Sequence, residues 1–108
     1  MNTTRKGTAA ERFVHKDLEA KGFLVGSRRH TKGSGDHLAV HSVGGGVWLV
    51  ETKAVAKGRG PFSAFSPAER KAMKETPIPP NGKRMLAVVR GSKPESMTVE
   101  YIAESAWP

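Results

Sequence analysis

Apolar side chains recur at helical spacing near the start of the chain. They follow one helix face and consist of Ala10, Phe13, Val14 and Leu18. This stripe predicts a helix from about residue 8 to residue 21, with a glycine directly after it as the stop. Thr8 and Glu11 have the spacing of a capping box, although the helix could begin one turn earlier with Thr3 or Thr4 as its cap.

A second helix is predicted to begin at Ser66. Serine favours the N-cap, Pro67 suits the first helical position, and Glu69 completes a capping box. The helix must end before the proline-rich stretch 76–80, because proline lacks the amide hydrogen that a helix interior uses.

Five β-rich runs occupy much of the remaining chain. They are residues 23–25, 36–43, 47–53, 84–90 and 97–102. The second and third runs are separated by the glycine triplet 44–46, which predicts a hairpin. The resulting order αβββαββ predicts an α/β fold with a mixed β-sheet flanked by helices, in a single domain over residues 1–108.

Composition and charge narrow the range of functions. The 108-residue chain has no cysteine, which excludes disulfide frameworks and cysteine zinc sites. No apolar run approaches the roughly 20 residues that span a bilayer, and the amino terminus lacks a secretory signal, so we expect a soluble cytoplasmic protein with no membrane partner. The net charge of +8 favours a polyanion, most commonly nucleic acid, although anionic membranes and acidic proteins would also be attracted.

Three charged residues of the predicted hairpin suit phosphodiester hydrolysis. Asp36 and Glu51 supply the hard oxygen ligands that Mg²⁺ prefers, and Lys53 supplies a cation for the charge that develops on the phosphate. Glu51 and Lys53 are two residues apart on a strand and therefore project from the same face.

The turn of the hairpin decides whether Asp36 joins these two residues. A two-residue turn at Gly44 and Gly45 would place Asp36 opposite Lys53, with Glu51 on the diagonal. A three-residue turn would face Asp36 away from Glu51, unless a bulge corrected the register. The metal-site hypothesis therefore requires a turn with an even number of residues, or a bulge that corrects the register.

An alternative interpretation is that these residues are ordinary charges at strand ends, with Lys53 merely pairing with Glu51. The spacing alone is a weak signal. It gains weight because Glu51 and Lys53 directly follow the apolar run 47–50, where a buried unpaired charge would be costly.

Four short motifs occur in order in the first half of the chain: RKGTAAER at 5–12, GFLV at 22–25, GSGD at 33–36 and LVETK at 49–53. Together they resemble the archaeal-type Holliday junction resolvases of the PD-(D/E)xK nuclease superfamily, to which small phage-encoded nucleases also belong. The resemblance implies a restriction-endonuclease-like core and a metal-dependent nuclease, which would act in the host cytoplasm if the chain is phage-encoded.

The resemblance also implies roles for individual residues. Asp36 and Glu51 match the two metal-binding carboxylates, and Lys53 matches the catalytic lysine. Glu11 matches a first-helix glutamate that completes the metal site, and the Thr52 carbonyl oxygen is expected as a further ligand. Mg²⁺ is the expected metal, with Mn²⁺ as a substitute. Without the resemblance, Glu11 would be assigned to the capping box.

Basic residues around the predicted site are expected to contact DNA. The resemblance assigns Arg5 and the loop before Asp36, including Ser34, to DNA contact or to the support of catalysis. The full expected set is Arg5, Lys6, Arg28, Arg29, His30, Lys32, Ser34, Lys57, Arg59, Arg70 and Lys71. The remaining histidines, His15, His37 and His41, are interpreted as surface or DNA-contacting residues.

The chain departs from the family pattern at three points. Gly35 stands where a proline commonly precedes the first aspartate, and 44–46 is an unusual glycine triplet. Some family members carry a glutamine in the second helix, where this chain has Glu69, Arg70 and Lys71. These departures bear on junction specificity more than on nuclease chemistry.

These patterns together predict a Mg²⁺-dependent endonuclease that resolves four-way DNA junctions as a homodimer, because two symmetric cuts suit a two-fold dimer. A second hypothesis keeps the nuclease but changes its substrate to flaps, nicked duplex or foreign DNA. A third is a non-catalytic DNA- or RNA-binding module on the same fold. Such a module has no need for clustered carboxylates, which repel phosphate.

Overall fold

In the part of the chain that the structure describes, helices and strands occur in the predicted order αβββαββ. The computed structural model describes residues 3–27 and 37–108, without the side chains of residues 3–8, 27 and 94. The elements are α1 (Thr3–Ala20), β1 (Phe23–Ser27), β2 (His37–His41), β3 (Val47–Ala54), α2 (Pro67–Glu75), β4 (Gly82–Arg90) and β5 (Thr98–Ala103), with short 3₁₀ turns at Pro94–Ser96 and Glu104–Ala106. The α/β class and the element order are therefore confirmed.

The five strands form one mixed sheet in the order β1-β2-β3-β4-β5. Neighbouring strands are antiparallel, except that β3 and β4 run parallel. A parallel pair needs a crossover connection, because the chain has to return to the same end of the sheet, and α2 lies within this connection. The carboxyl ends of β3 and β4 consequently lie side by side at the same end of the sheet.

The two helices cover opposite faces of the sheet. Val14 and Leu18 of α1 are buried in one cluster with Val50 of β3. Met73 of α2 is buried in a second cluster, which contains Leu49 of β3. Because successive side chains of a strand point to opposite faces, these clusters define an α1 face and an α2 face of the sheet.

Helix α1 begins earlier than residue 8. It starts at Thr3 and ends at Ala20, two residues before Gly22, whose φ of 96° suits a glycine stop. Gly7 destabilises the first turns of the helix by only about 1 kcal/mol relative to alanine, so the helix continues through it. Thr8 therefore lies inside the helix, so its assignment with Glu11 to a capping box is wrong.

The described ranges contain no helix long and apolar enough to cross a membrane.

The β2–β3 hairpin has a longer turn than predicted. The ladder sets Val40 opposite Val47 and His37 opposite Val50. Residues 42–45 thus form a four-residue connection, and both the two-residue and the three-residue turn are wrong. The register is shifted by two residues from the two-residue prediction. An even shift leaves unchanged which side chains share a face.

Contacts of His41 explain the longer turn. Its Nδ1 lies 2.7 Å from the Val43 carbonyl oxygen, and its Nε2 lies 3.0 Å from the Lys21 carbonyl oxygen. The first half of the turn is thereby fixed against the end of α1. Gly44 and Gly45, with φ of 86° and 69°, complete the turn in the left-handed region that favours glycine.

Both ends of α2 are fixed by side chains. Ser66 and Glu69 form the predicted capping box, in which the Ser66 amide donates to a Glu69 carboxylate oxygen at 2.9 Å. At the other end, Arg84 of β4 donates to the Met73 carbonyl at 2.7 Å and to the Thr76 carbonyl at 2.6 Å. The helix is therefore held over β3 and β4 in a defined position.

Candidate active site

Glu51 and Lys53 lie near the carboxyl end of β3 on the α2 face. They share this face with Leu49, as their two-residue spacing predicts. Only 12% of the Glu51 side chain and 19% of the Lys53 side chain are exposed, and Lys53 Nζ lies 3.5 Å from Glu51 Oε2. The fold thus places an ion pair of two largely buried side chains at the end of a central strand.

A second carboxylate reaches Lys53 from α2. Lys53 Nζ donates to Glu69 Oε2, while Glu69 Oε1 accepts the hydrogen bond from the Ser66 amide. One glutamate therefore closes the capping box and also holds the lysine. The Lys53 ammonium lies between a carboxylate of its own strand and a carboxylate of the helix that crosses over it.

These partners determine the charge of Lys53. Burial alone would lower the pKa of the ammonium, but the hydrogen bond to Glu69 and the negative charge of Glu51 outweigh burial and raise it. Burial would raise the pKa of Glu69, but Lys53 and the Ser66 amide outweigh it and lower that pKa. Lys53 is therefore a cation at neutral pH, suited to stabilising negative charge rather than to accepting a proton.

Glu69 is a site residue that sequence reasoning missed. Its place in the capping box accounts for a glutamate at this position, so nothing in the local sequence calls for a second role. Its contact with Lys53 depends on how the crossover carries α2 over β3. The one signal that pointed to it was its position in the second helix, where some members of the resembled family carry a glutamine.

Asp36 lies outside the described residues. The same holds for five of the residues predicted to contact DNA: Arg28, Arg29, His30, Lys32 and Ser34. The described ladder ends with His37 opposite Val50, and Asp36 and Glu51 adjoin this last pair in the sequence. In this register the even-numbered residues of β2 lie on the same face of the sheet as the odd-numbered residues of β3. The metal-site hypothesis requires the same relationship between Asp36 and Glu51.

Glu11 and the Thr52 side chain belong to the other side of the sheet. Glu11 is half-buried on α1, and Thr52 has 8% of its surface exposed on the face that α1 covers. The Thr52 main chain lies between Glu51 and Lys53 along β3. The structure thus brings Glu51 and Lys53 together on one face and places the helix that carries Glu11 on the opposite one.

The interpretation of His37 as a surface residue is wrong. Its surface is 3% exposed, and its ring packs edge-on against that of His15 with the centroids 5.6 Å apart. His37 pairs with Val50, so its side chain lies on the face that α1 covers. The side chain is buried because α1 packs over this face of the sheet. The sequence around His37 alone does not show this packing.

Glu51 alone does not make a metal site. Within residues 3–27 and 37–108, no three His, Asp or Glu side chains are grouped closely enough to hold a metal ion. Mg²⁺ usually takes one or two protein carboxylates and keeps several water ligands. The carboxylate of Glu51 fits this chemistry when a second carboxylate joins it, and Asp36 is the residue that the hypothesis assigns.

Four residues predicted to contact DNA have described side chains. Lys57, Arg59 and Lys71 are exposed. Arg70 is half-buried, and its Nη1 donates to the Phe65 carbonyl, so part of its guanidinium fixes the loop before α2. For the remaining two, Arg5 and Lys6, the structure describes only the main chain, which belongs to α1.

No protein-family model matches the sequence, and a search of curated proteins finds no match. The interpretation of the site therefore depends on its geometry and on the short motifs of the first half of the chain.

Proposed function

We propose that this chain is a divalent-metal-dependent DNA endonuclease with a restriction-endonuclease-like core, and that it resolves four-way junctions as a homodimer. The observation that carries the proposal is the arrangement of Glu51 and Lys53, two largely buried charges on one face of β3, with the lysine held between carboxylates. The same residues match the metal-binding glutamate and the catalytic lysine of the family that the motifs resemble.

The proposed ligands of Mg²⁺ or Mn²⁺ are Asp36, Glu51, Glu11 and the Thr52 carbonyl oxygen. When bound, the ion supplies Lewis acidity toward a phosphate oxygen and activates a water molecule for in-line attack. The proposal requires the β2–β3 ladder to continue by one pair beyond His37 and Val50. It also requires the Glu11 carboxylate to reach the end of the sheet from α1.

Lys53 is proposed to stabilise the charge that develops on the scissile phosphate. Its ammonium is charged and is held by Glu51 and Glu69 before any substrate binds. A cation fixed in advance needs little reorganisation when negative charge develops beside it, and this is a large source of rate acceleration in enzymes. Glu69 acts through Lys53 and is therefore a positioning residue.

Charge supports DNA as the substrate, and the symmetry of a four-way junction supports the homodimer. A net charge of +8 attracts a polyanion, and each phosphate contact releases counterions from DNA. Resolution of a four-way junction needs two cuts related by symmetry, which two copies of a chain with one site can supply. The junction itself is chosen because of the resemblance to the resolvases.

Cleavage of a panel of labelled DNA substrates tests this function. The panel contains a four-way junction, a flap, a nicked duplex and a linear duplex, each incubated with Mg²⁺ and with EDTA. We expect paired, symmetric cuts in the junction that require Mg²⁺. Equal cutting of linear duplex would contradict junction resolution, and binding of all four substrates without metal-dependent cutting would contradict the nuclease itself.

A further inference from the structure

A shallow basic pocket lies beyond the carboxyl ends of the parallel strands β3 and β4. It has a volume of about 550 Å³ and is formed by the loop after β3, the end of β4 and the segment that leads into β5. Its polar lining includes Lys57, Arg59, Arg90, Ser96 and Thr98. Arg90, Ser96 and Thr98 were not singled out by their sequence pattern.

The lining has charge of one sign. Lys57, Arg59 and Arg90 contribute three cations, and none of them takes part in an ion pair within the described residues. Arg90 Nη1 donates to the Ala56 carbonyl at 3.0 Å, which uses one of the five N–H donors of the guanidinium. The Ser96 hydroxyl already donates to the Lys93 carbonyl at 3.0 Å. A cluster of unpaired cations beside the Thr98 hydroxyl attracts an anion with several acceptor oxygens.

Backbone packing brings the two sides of the pocket together. Gly91 follows Arg90 with φ of 108°, and a Cβ atom at this position would lie 2.6 Å from the Ser96 carbonyl oxygen. Only glycine permits this approach without strain. Arg90 is also paired with Thr98 across the β4–β5 ladder. Arg90 and Thr98 are thus held side by side by the main chain.

Arg90 and Thr98 of the pocket lie on the same face of the sheet as the candidate active site. Glu51 is paired with Leu86 of β4, and Arg90 lies four residues further along that strand on the same face. A strand spacing of about 4.8 Å and a rise of about 3.3 Å per residue put the Cα atoms of Glu51 and Arg90 about 14 Å apart. A DNA strand whose scissile phosphate lies at Glu51 can therefore also reach the pocket with a neighbouring part of its backbone.

We infer that the pocket binds a backbone phosphate of the DNA substrate a few nucleotides from the scissile phosphate. The inference rests on the proposed function for the identity of the polyanion. Arg59 and Arg90 can each offer two parallel N–H groups to phosphate oxygens, and Lys57 adds a point charge. A phosphate held there fixes the position of the strand relative to Glu51, which is how contacts away from the chemistry set a cleavage position.

Salt-dependent DNA binding tests the inference without any requirement for cleavage. Lys57→Ala, Arg59→Ala and Arg90→Gln are each compared with the wild type by fluorescence anisotropy of a labelled junction in EDTA, over a series of salt concentrations. The glutamine retains a donor for the Ala56 carbonyl. Because the three cations share one phosphate, each variant should lower the magnitude of the slope of log K against log salt by up to about 0.9.

Lys83→Ala is the matched control, because Lys83 is an exposed lysine near the opposite end of β4. Its slope should equal that of the wild type. Circular dichroism confirms that each variant is folded. Slopes for Arg59→Ala and Arg90→Gln that equal that of Lys83→Ala would overturn the inference.

Ethylation interference locates the phosphate directly. The wild type should show interference at a phosphate a few nucleotides from the cut, or from the phosphate nearest the active site if no cut occurs, and Arg59→Ala should lose it. If the wild type cuts DNA but the variants bind unchanged, only the pocket inference fails. If the variants lose the contact but the wild type never cuts, only the nuclease proposal fails. A wild type that binds no DNA contradicts both.

Discussion

The Lys53 ammonium donates to the Glu69 carboxylate, and this contact ties the end of a central strand to the first turn of the crossover helix. Since Glu69 also closes the capping box, the start of α2 and the position of the lysine depend on one side chain. We therefore expect the contact to contribute to the stability of the fold.

Removal of the Glu69 charge should weaken the link between α2 and β3. Glu69→Gln keeps an acceptor for the Ser66 amide but loses the ion pair with Lys53. In a double-mutant cycle with Lys53→Met we expect a coupling of at most about 1 kcal/mol, because 39% of the Glu69 side chain is exposed and solvent screens the pair. Urea unfolding of the four proteins measures this coupling. Strictly additive single-mutant effects would show that the pair contributes nothing.

Arg84 should be a major determinant of stability at the other end of α2. Besides the Met73 and Thr76 carbonyls, it reaches a Glu104 carboxylate oxygen at 3.3 Å. Arg84→Ala should lower the free energy of unfolding by about 2–3 kcal/mol, because buried carbonyls lose a charged donor. Arg84→Lys should recover only part of the loss, since lysine lacks the planar fork. Lys83→Ala, the exposed neighbour, should change stability by less than about 0.5 kcal/mol, and an equal effect of the two alanine variants would contradict this assignment.

Asp17 should make stability depend on pH in the acid range. It accepts a hydrogen bond from the Tyr101 hydroxyl at 2.6 Å and pairs with Lys21 at 2.9 Å. Burial would raise the pKa of Asp17, but Tyr101 and Lys21 outweigh burial and lower it. A carboxyl group with a lowered pKa stabilises the folded state above its ordinary value of about 3.9, and that stabilisation is lost as the pH falls through the folded value.

The wild type should therefore be more stable than Asp17→Asn at neutral pH, where the difference is largest. The difference should disappear at pH values well below about 3.9. Urea unfolding over a pH series measures it, with Glu19→Gln as a control for loss of an exposed carboxylate on the same helix. A difference that grows as the pH falls would have the wrong sign for this account.

Two glycines with positive φ should respond differently to substitution. Gly45, with φ of 69°, has open space around it, so Gly45→Ala should lose only about 1 kcal/mol from backbone strain. Gly91→Ala adds a collision with the Ser96 carbonyl, and we expect a loss of about 2–3 kcal/mol. Thermal or urea unfolding compares them, and equal losses would contradict the close approach between Gly91 and Ser96 in the lining of the basic pocket.

The features that sequence predicted well are the local ones. The Ser66–Pro67 start of α2 and the two-residue spacing of Glu51 and Lys53 depend on residues near each other in the chain, so their patterns were sufficient. The predicted turn between β2 and β3 was wrong because His41 contacts the carbonyl of Lys21, which lies 20 residues earlier in the chain, just after α1. A pattern along one segment carries no information about such a contact.

The same reason applies to the residues that were missed or misassigned. His37 is buried because α1 covers its face of the sheet, and Glu69 reaches Lys53 because the crossover carries α2 over β3. Each depends on the packing of elements distant in sequence. The shared face of Glu51 and Lys53 could be predicted, whereas the partner that reaches Lys53 from α2 could not.

The most direct test of the account is single-turnover cleavage of a labelled four-way junction with Mg²⁺ by the wild type and by Glu51→Gln. Glutamine keeps the size of the side chain but removes the charge that a hard cation needs. We predict a loss of cleavage of at least about a hundredfold, because several kcal/mol of transition-state stabilisation depend on the bound ion, with binding in EDTA retained. Glu100→Gln, at an exposed carboxylate of β5, should cut like the wild type. Undiminished cleavage by Glu51→Gln would contradict the assignment of Glu51 as a metal ligand and with it the central claim.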